Sequence, residues 1–203
     1  PFDLKPGFTM GRYGTHFGRN NTWWPFAGAW INYLTRCQYL LQQGHTVADV
    51  CLLFPRDIVY AFLPNTPTVP EGYHYDICYP DYLATAKWID GRLRFPSGAS
   101  YKILGLPGYN YMPLATLKEI YRLLKEGCII SGPPPLAPPD IEGVTSDTST
   151  YNDLVRKIWG GLNGTNSTRR AVEKGTLFMG RPLKEILSQY NLQEDVKFVK
   201  TAP

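Results

Sequence analysis

Apolar residues recur along this chain with two periods. From Trp23 onward, Phe26, Trp30, Ile31, Leu34, Cys37, Leu40 and Leu41 follow one another at steps of three and four, which predicts an amphipathic helix stopped at Gly44. Asn21 or Thr22 stands where a cap is needed, and Pro25 is tolerated in a first turn. Residues 48–55 then form a nearly continuous apolar run, as expected of a strand buried on both faces. A proline-rich excursion through Pro64, Pro67 and Pro70 leads to a second short strand at residues 75–78. Residues 79–88 read as helical after Pro80. Residues 91–95 alternate like an exposed or edge strand, and residues 101–107 form another buried strand.

The second half repeats the theme. Leu114, Leu117, Ile120, Tyr121, Leu123 and Leu124 mark a helix over residues 112–126, closed by Gly127. Residues 128–132 make a strand, so strand, helix and strand succeed one another with short links. That order calls for a parallel sheet. A helix over 151–162, a strand over 175–180, a helix over 182–190 and a last short strand over 195–199 complete the pattern. The fold class is therefore α/β: an open, mainly parallel sheet flanked by helices over residues 46–203, preceded by a loop-helix segment over residues 1–45.

Composition narrows the function. Of the residues, 43% are hydrophobic and 19% charged, which suits a packed globular protein. A net charge of +4, with Lys and Arg scattered, lacks the concentrated basic face of a nucleic-acid binder. No apolar run approaches the ~20 residues of a membrane helix. The opening Pro1-Phe2-Asp3-Leu4-Lys5-Pro6 has no targeting pattern and reads as the start of a mature or excised piece. The four cysteines, Cys37, Cys51, Cys78 and Cys128, lie in helix- or strand-like runs without metal-ligand spacing and read as small buried hydrophobes. Asn-X-Ser/Thr triplets at Asn20, Asn163 and Asn166 matter only in a eukaryotic secretory setting.

In open α/β sheets, function gathers beyond the carboxyl ends of the strands. The segments there are 55–57, 79–81, 108–110 and 132–134. The first carries prolines in place of a glycine-rich phosphate loop, which removes N–H donors. At the strand-to-helix turn over 106–112 the apex residue is Tyr109 or Asn110, so a nucleophile elbow has no nucleophile. His16, His45 and His74 are poorly placed to serve as its base. Asp76 and Asp81 bracket a strand end and form a candidate acid pair, although Asp76 reads more simply as a cap or hydrogen-bond acceptor.

The strongest candidates precede the first helix. His16, Arg19 and Asn20 form a polar loop ahead of adjacent Trp23 and Trp24. An indole face matches the C–H face of a sugar ring, so His16, Arg19, Asn20 and Trp23 are candidate sugar-binding residues. Equally, the Trp pair can anchor a helix end and the Arg and Asn can tie the loop to the helix.

On these residues the chain resembles a known family. Gly14-Thr15-His16-Phe17-Gly18-Arg19-Asn20-Asn21-Thr22-Trp23-Trp24, then Tyr33-Leu34-Thr35-Arg36-Cys37-Gln38-Tyr39-Leu40-Leu41-Gln42-Gln43-Gly44, and later the run over residues 94–107, resemble glycoside hydrolase family 106, the α-L-rhamnosidases and their relatives. The resemblance implies a piece of a larger enzyme. Residues 1–45 would be the end of a catalytic (β/α) barrel, loop plus last helix. Residues 46–203 would be an accessory α/β domain of the class I glutamine amidotransferase-like, or flavodoxin-like, kind. Such enzymes invert at the anomeric carbon with a pair of Glu residues, and calcium belongs to their catalytic site. Every Glu of this chain lies at or beyond Glu71, so neither acid nor base is expected in the barrel part. The expectation is a rhamnoside-binding part, inactive alone, of a periplasmic or extracellular enzyme, with no cofactor of its own. A stand-alone carbohydrate- or small-molecule-binding module is the alternative, and an amidotransferase-like enzyme lacks its nucleophile.

Overall fold

A computed structural model describes residues 14, 16–17, 21–55, 68–108, 111–138 and 148–197. The chain divides into two compact units, Pro1–His45 and Thr46–Pro203.

In the first unit a 3-10 turn over Trp24–Phe26 runs into helix α1, Ala27–Leu41. The expected periodicity is there, and Gly44 adopts φ +85° just beyond the end. The expected cap is not. Neither helix start receives a side-chain cap. The Asn21 carbonyl accepts from the Trp24 N–H, while the Asn21 amide points back to the loop and donates to the His16 carbonyl. Ala27 is the buried residue of α1, whereas Trp30, Ile31, Leu34, Leu40 and Leu41 are exposed.

The second unit is built on a six-stranded sheet. Its strands are β1 (Val50–Leu53), β2 (Tyr75–Cys78), β6 (Ile103–Gly105), β7 (Ile129–Ser131), β8 (Arg169–Val172) and β9 (Gly175–Phe178). Their spatial order is β2-β1-β6-β7-β9-β8, with every pairing parallel except β8 with β9. β1 is buried along its whole length, as a strand covered on both faces must be. Alternate side chains of its strands enter different cores: Cys51, Leu53, Leu104, Ile130 and Leu177 on one face, Val50, Leu52, Ile103, Ile129 and Phe178 on the other.

Helices close both faces. α3 (Leu114–Glu126) buries Leu117, Ile120, Leu123 and Leu124 in the first core, beside Tyr151, Ile158 and Trp159 of α4 (Thr148–Trp159). Each such side chain contributes about 1.5–3 kcal/mol on burial. Gly127 ends α3 at φ +116°, donating to Leu123 and Leu124 carbonyls, a conformation that a side chain would strain. α5 (Leu183–Gln189) places Leu183, Ile186 and Leu187 in the second core.

A smaller antiparallel sheet, β3 (Lys87–Ile89), β4 (Arg92–Arg94) and β5 (Ser100–Tyr101), corrects two expectations. The segment after Pro80 is helical only over α2 (Pro80–Leu83) and then becomes β3. β4 is central rather than an edge, and its Leu93 is fully buried. The reason lies in Asp90-Gly91: both have positive φ (+53° and +69°), and this two-residue turn pairs Ile89 with Arg92 as a hairpin. The expected buried strand over 101–107 is divided at Lys102 between β5 and β6.

Two further differences concern edges. Residues 195–197 form no strand. Instead they strap the sheet, with the Val196 N–H donating to Gly72 and Asp195 accepting from the His74 N–H at 2.7 Å. Residues 198 and 199 of that expected strand lie outside the described residues. Conversely, β8 is a strand without a sequence signal of its own: its Arg-Arg-Ala-Val shows little apolar pattern until it pairs with β9.

Candidate functional site

The sheet reverses direction of growth beside β1: the chain goes from β1 to β2 on one side, then to β6 on the other. The crevice beyond the carboxyl ends of β1 and β6 is where such sheets hold ligands. The described residues there offer few donors. The N–H groups of Phe54, Leu106 and Gly132 are spent on the Cys78, Ser131 and Phe178 carbonyls, and Pro55, Pro107 and Pro133 have none. The buried Trp159 indole N–H adds a 3.0 Å bond to the Gly132 carbonyl. No anion cradle exists among these groups. Residues 56, 57, 109 and 110, part of the expected strand-end segments, lie outside the described residues.

Asp76 is a hydrogen-bond acceptor, receiving the Tyr101 hydroxyl at 2.7 Å. The cysteines are free thiols, three of them buried. The Cys78 side chain, then burial, pushes the Cys51 thiol far above its ordinary value, and burial does the same to Cys128. Neither is a thiolate nucleophile at neutral pH. Among the described residues, no group of three or more His, Cys, Asp or Glu side chains is arranged to hold a metal ion.

The first unit holds a different kind of surface. Trp23 meets Phe17 edge-on at 5.7 Å, Trp24 at 5.9 Å and Trp30 at 6.2 Å between ring centroids. Phe17 stacks on Trp30 at 5.2 Å with an interplanar angle of 16°. Rings in this edge-and-stack arrangement favour one another beyond their buried area. Yet Phe17 stays 61% exposed and Trp30 43%, so the cluster presents open aromatic faces. Trp23, at the start of the 3-10 turn, and Trp30, in the first turn of α1, are brought together where the turn runs into the helix.

His16, the residue before Phe17, is exposed, and its backbone carbonyl is anchored by the buried Asn21. The Asn21 side chain therefore holds the His16 carbonyl in place of capping the helix. Arg19 and Asn20 lie outside the described residues. The arrangement suits one chemistry in particular: apolar ring faces for the C–H face of a sugar, with His16 next to Phe17 in the chain.

The profile of glycoside hydrolase family 106, described as alpha-L-rhamnosidase, matches residues 1–203. A protein of Formosa agariphila, a beta-glucuronidase by provisional name, is 34% identical over 165 residues, covering 79% of this chain and 14% of that protein. The solved structure of a rhamnosidase from Novosphingobium sp. PP1Y superposes with a TM-score of 0.71 at 28% identity, over 89% of this chain and 17% of the other. The chain thus spans about a seventh to a sixth of the length of these relatives.

Proposed function

The chain belongs to glycoside hydrolase family 106, and we propose that it serves as the sugar-rim and accessory part of an enzyme cleaving α-L-rhamnosides. In this reading Pro1–His45 closes a catalytic barrel with α1 as its last helix, and Thr46–Pro203 is an amidotransferase-like domain packed beside it. In sequence order the parallel strands stand 2-1-3-4-5, the flavodoxin-like arrangement, which supports that class for the second unit. The parent enzyme would work in the periplasm or outside the cell. No helix among the described residues is long and apolar enough to cross a membrane.

The observation that carries the proposal is the open aromatic cluster of Phe17, Trp23 and Trp30 beside His16. The indole of Trp23 would receive the apolar face of the sugar, while His16, Arg19 and Asn20 bond its hydroxyls and fix its orientation. Residues 1–45 contain no Glu, so a carboxylic acid–base pair of two Glu residues must come from elsewhere in the enzyme. Calcium would likewise belong to that catalytic part. Among the described residues no group of three or more His, Cys, Asp or Glu side chains fits it.

Hydrolysis of an aryl α-L-rhamnoside, with an aryl β-D-glucuronide in parallel, tests the division of labour. L-rhamnose titration followed by tryptophan fluorescence tests the rim. The expected result is no turnover of either glycoside and saturable quenching that Trp23→Ala abolishes. Turnover by the chain alone would overturn the inactive-part reading, and absence of quenching would remove the sugar rim.

A further inference from the structure

Among the described residues, every side-chain ion pair uses arginine: Arg92, Arg94, Arg122, Arg156 and Arg181. Three of the described lysines gather on one face of the second unit. Lys118, Tyr121 and Lys125 fall at i, i+3 and i+7 on α3, hence along one side of the helix. Lys157 reaches the same place from α4. Its Nζ lies 4.7 Å from the centre of the Tyr121 ring, and Lys125 Nζ lies 5.0 Å from it. Sharing one ring keeps these two ammonium groups no more than about 10 Å apart.

Lys118, Lys125 and Lys157 are all exposed, whereas Tyr121 is half-buried and serves as the fixed base of the cluster. The Tyr121 hydroxyl donates to Glu173 at 2.5 Å. That carboxylate is the acidic neighbour of the face. Glu119 and Glu126 are both engaged by Arg122 at 2.7 and 2.6 Å, which removes them as partners for the lysines. Hydrogen bonding to Tyr121 first, and the nearby Glu173 in addition, hold the Lys157 ammonium above its ordinary value, so it stays charged. Like charges held this close repel, and an anion bridging them relieves the repulsion.

We propose that this face of α3 and α4, with Lys125 and Lys157 about Tyr121 and Lys118 beside them, binds an acidic polysaccharide, one whose sugars carry carboxylates. Two ammonium groups held within about 10 Å of each other can meet two carboxylates carried by one acidic chain. Uronic acid is favoured over nucleic acid on two grounds. The chain belongs to a glycosidase family and has a relative bearing a beta-glucuronidase name. Three lysines on two helices also form a small patch, not the extended basic stripe that tracks a nucleic-acid backbone. The inference rests on family membership and not on rhamnose as the sugar at Trp23.

The test is binding of fluorescein-labelled oligogalacturonate to the 203-residue chain by anisotropy at low salt, with labelled dextran and oligo-dT as comparisons. Oligogalacturonate should bind, dextran should not, and added salt should weaken the complex. The double variant Lys125→Gln/Lys157→Gln should lose about tenfold or more in affinity, Glu173→Gln should gain, and neither should shift the melting temperature. No binding, equal binding of dextran, or an unchanged affinity in the double variant would overturn the proposal. So would tighter binding of oligo-dT, which would make the face a nucleic-acid surface. Because the signal comes from the labelled oligosaccharide and the variants lie in α3 and α4, the outcome is separable from rhamnose quenching at Trp23.

Discussion

The Tyr101 hydroxyl donates to the Asp76 carboxylate at 2.7 Å, joining β5 of the small sheet to β2 at the margin of the large one. The pair lies 25 positions apart in sequence and is held by elements on either side. Asp49 secures the same junction: its carboxylate accepts from Arg92 at 2.9 Å, and its carbonyl accepts from the N–H groups of Lys102 and Ile103. Two sheets that share no ladder are thereby docked through polar contacts at one seam.

Replacing Tyr101 by Phe keeps the ring against Phe95 and deletes only the hydroxyl. The expected cost is about 1–2 kcal/mol, because Asp76 is partly exposed and water can replace the lost donor. Urea unfolding should show a lower midpoint with an unchanged slope. An unaltered midpoint would mean that the seam does not need this bond.

Alkaline pH should unfold the protein through its tyrosines. Burial, then Asp76, raises the Tyr101 hydroxyl well above its ordinary value, and burial pushes Tyr151 up to about 12. An unfolded tyrosine releases its proton near pH ~10. Their contribution is therefore complete below that pH and declines as pH rises toward the folded values. Absorbance titration at the tyrosinate band should leave a fraction un-ionised at pH 11 that appears only with the loss of tertiary signal. Ionisation of every tyrosine while the fold stays intact would contradict this.

Trp159→Phe should destabilise by about 2–3 kcal/mol. It removes the buried indole N–H that satisfies the Gly132 carbonyl and leaves space between α4 and the sheet. Thermal unfolding measures the loss. A neutral outcome would require another donor to reach Gly132.

Gly127→Ala should cost about 1–2 kcal/mol, since the residue sits at φ +116° and a new Cβ would lie 3.1 Å from the Trp88 indole nitrogen. Loss of Trp88 packing should also alter its fluorescence. Retention of both stability and spectrum would show that the end of α3 tolerates a side chain.

Asn21→Ala frees the His16 loop while leaving every aromatic ring in place. Rhamnose-dependent quenching should weaken about fivefold or more, roughly the effect of one lost positioning bond, with the unfolding of the second unit unchanged. Full-strength quenching would show that the loop's anchorage does not matter to sugar binding.

The period of apolar residues in the sequence already determined α1, α3, α4 and α5 and the buried strands β1, β7 and β9. Each carries its burial pattern within its own few residues. Trp23 as the aromatic centre was legible in the same way, from an indole placed at a helix start. Tertiary structure alone decided the rest. β8 is a strand only because β9 lies beside it, and β4 became central because Asp90-Gly91 folded β3 onto it. Asn21 turned from cap to loop anchor because the His16 carbonyl came within reach. The two lysines met over Tyr121 because α4 packs on α3. A local pattern records how strongly a position prefers burial. Which partner buries it, or bonds to it, is fixed by contacts between residues far apart in the chain, and those exist only once the chain has folded.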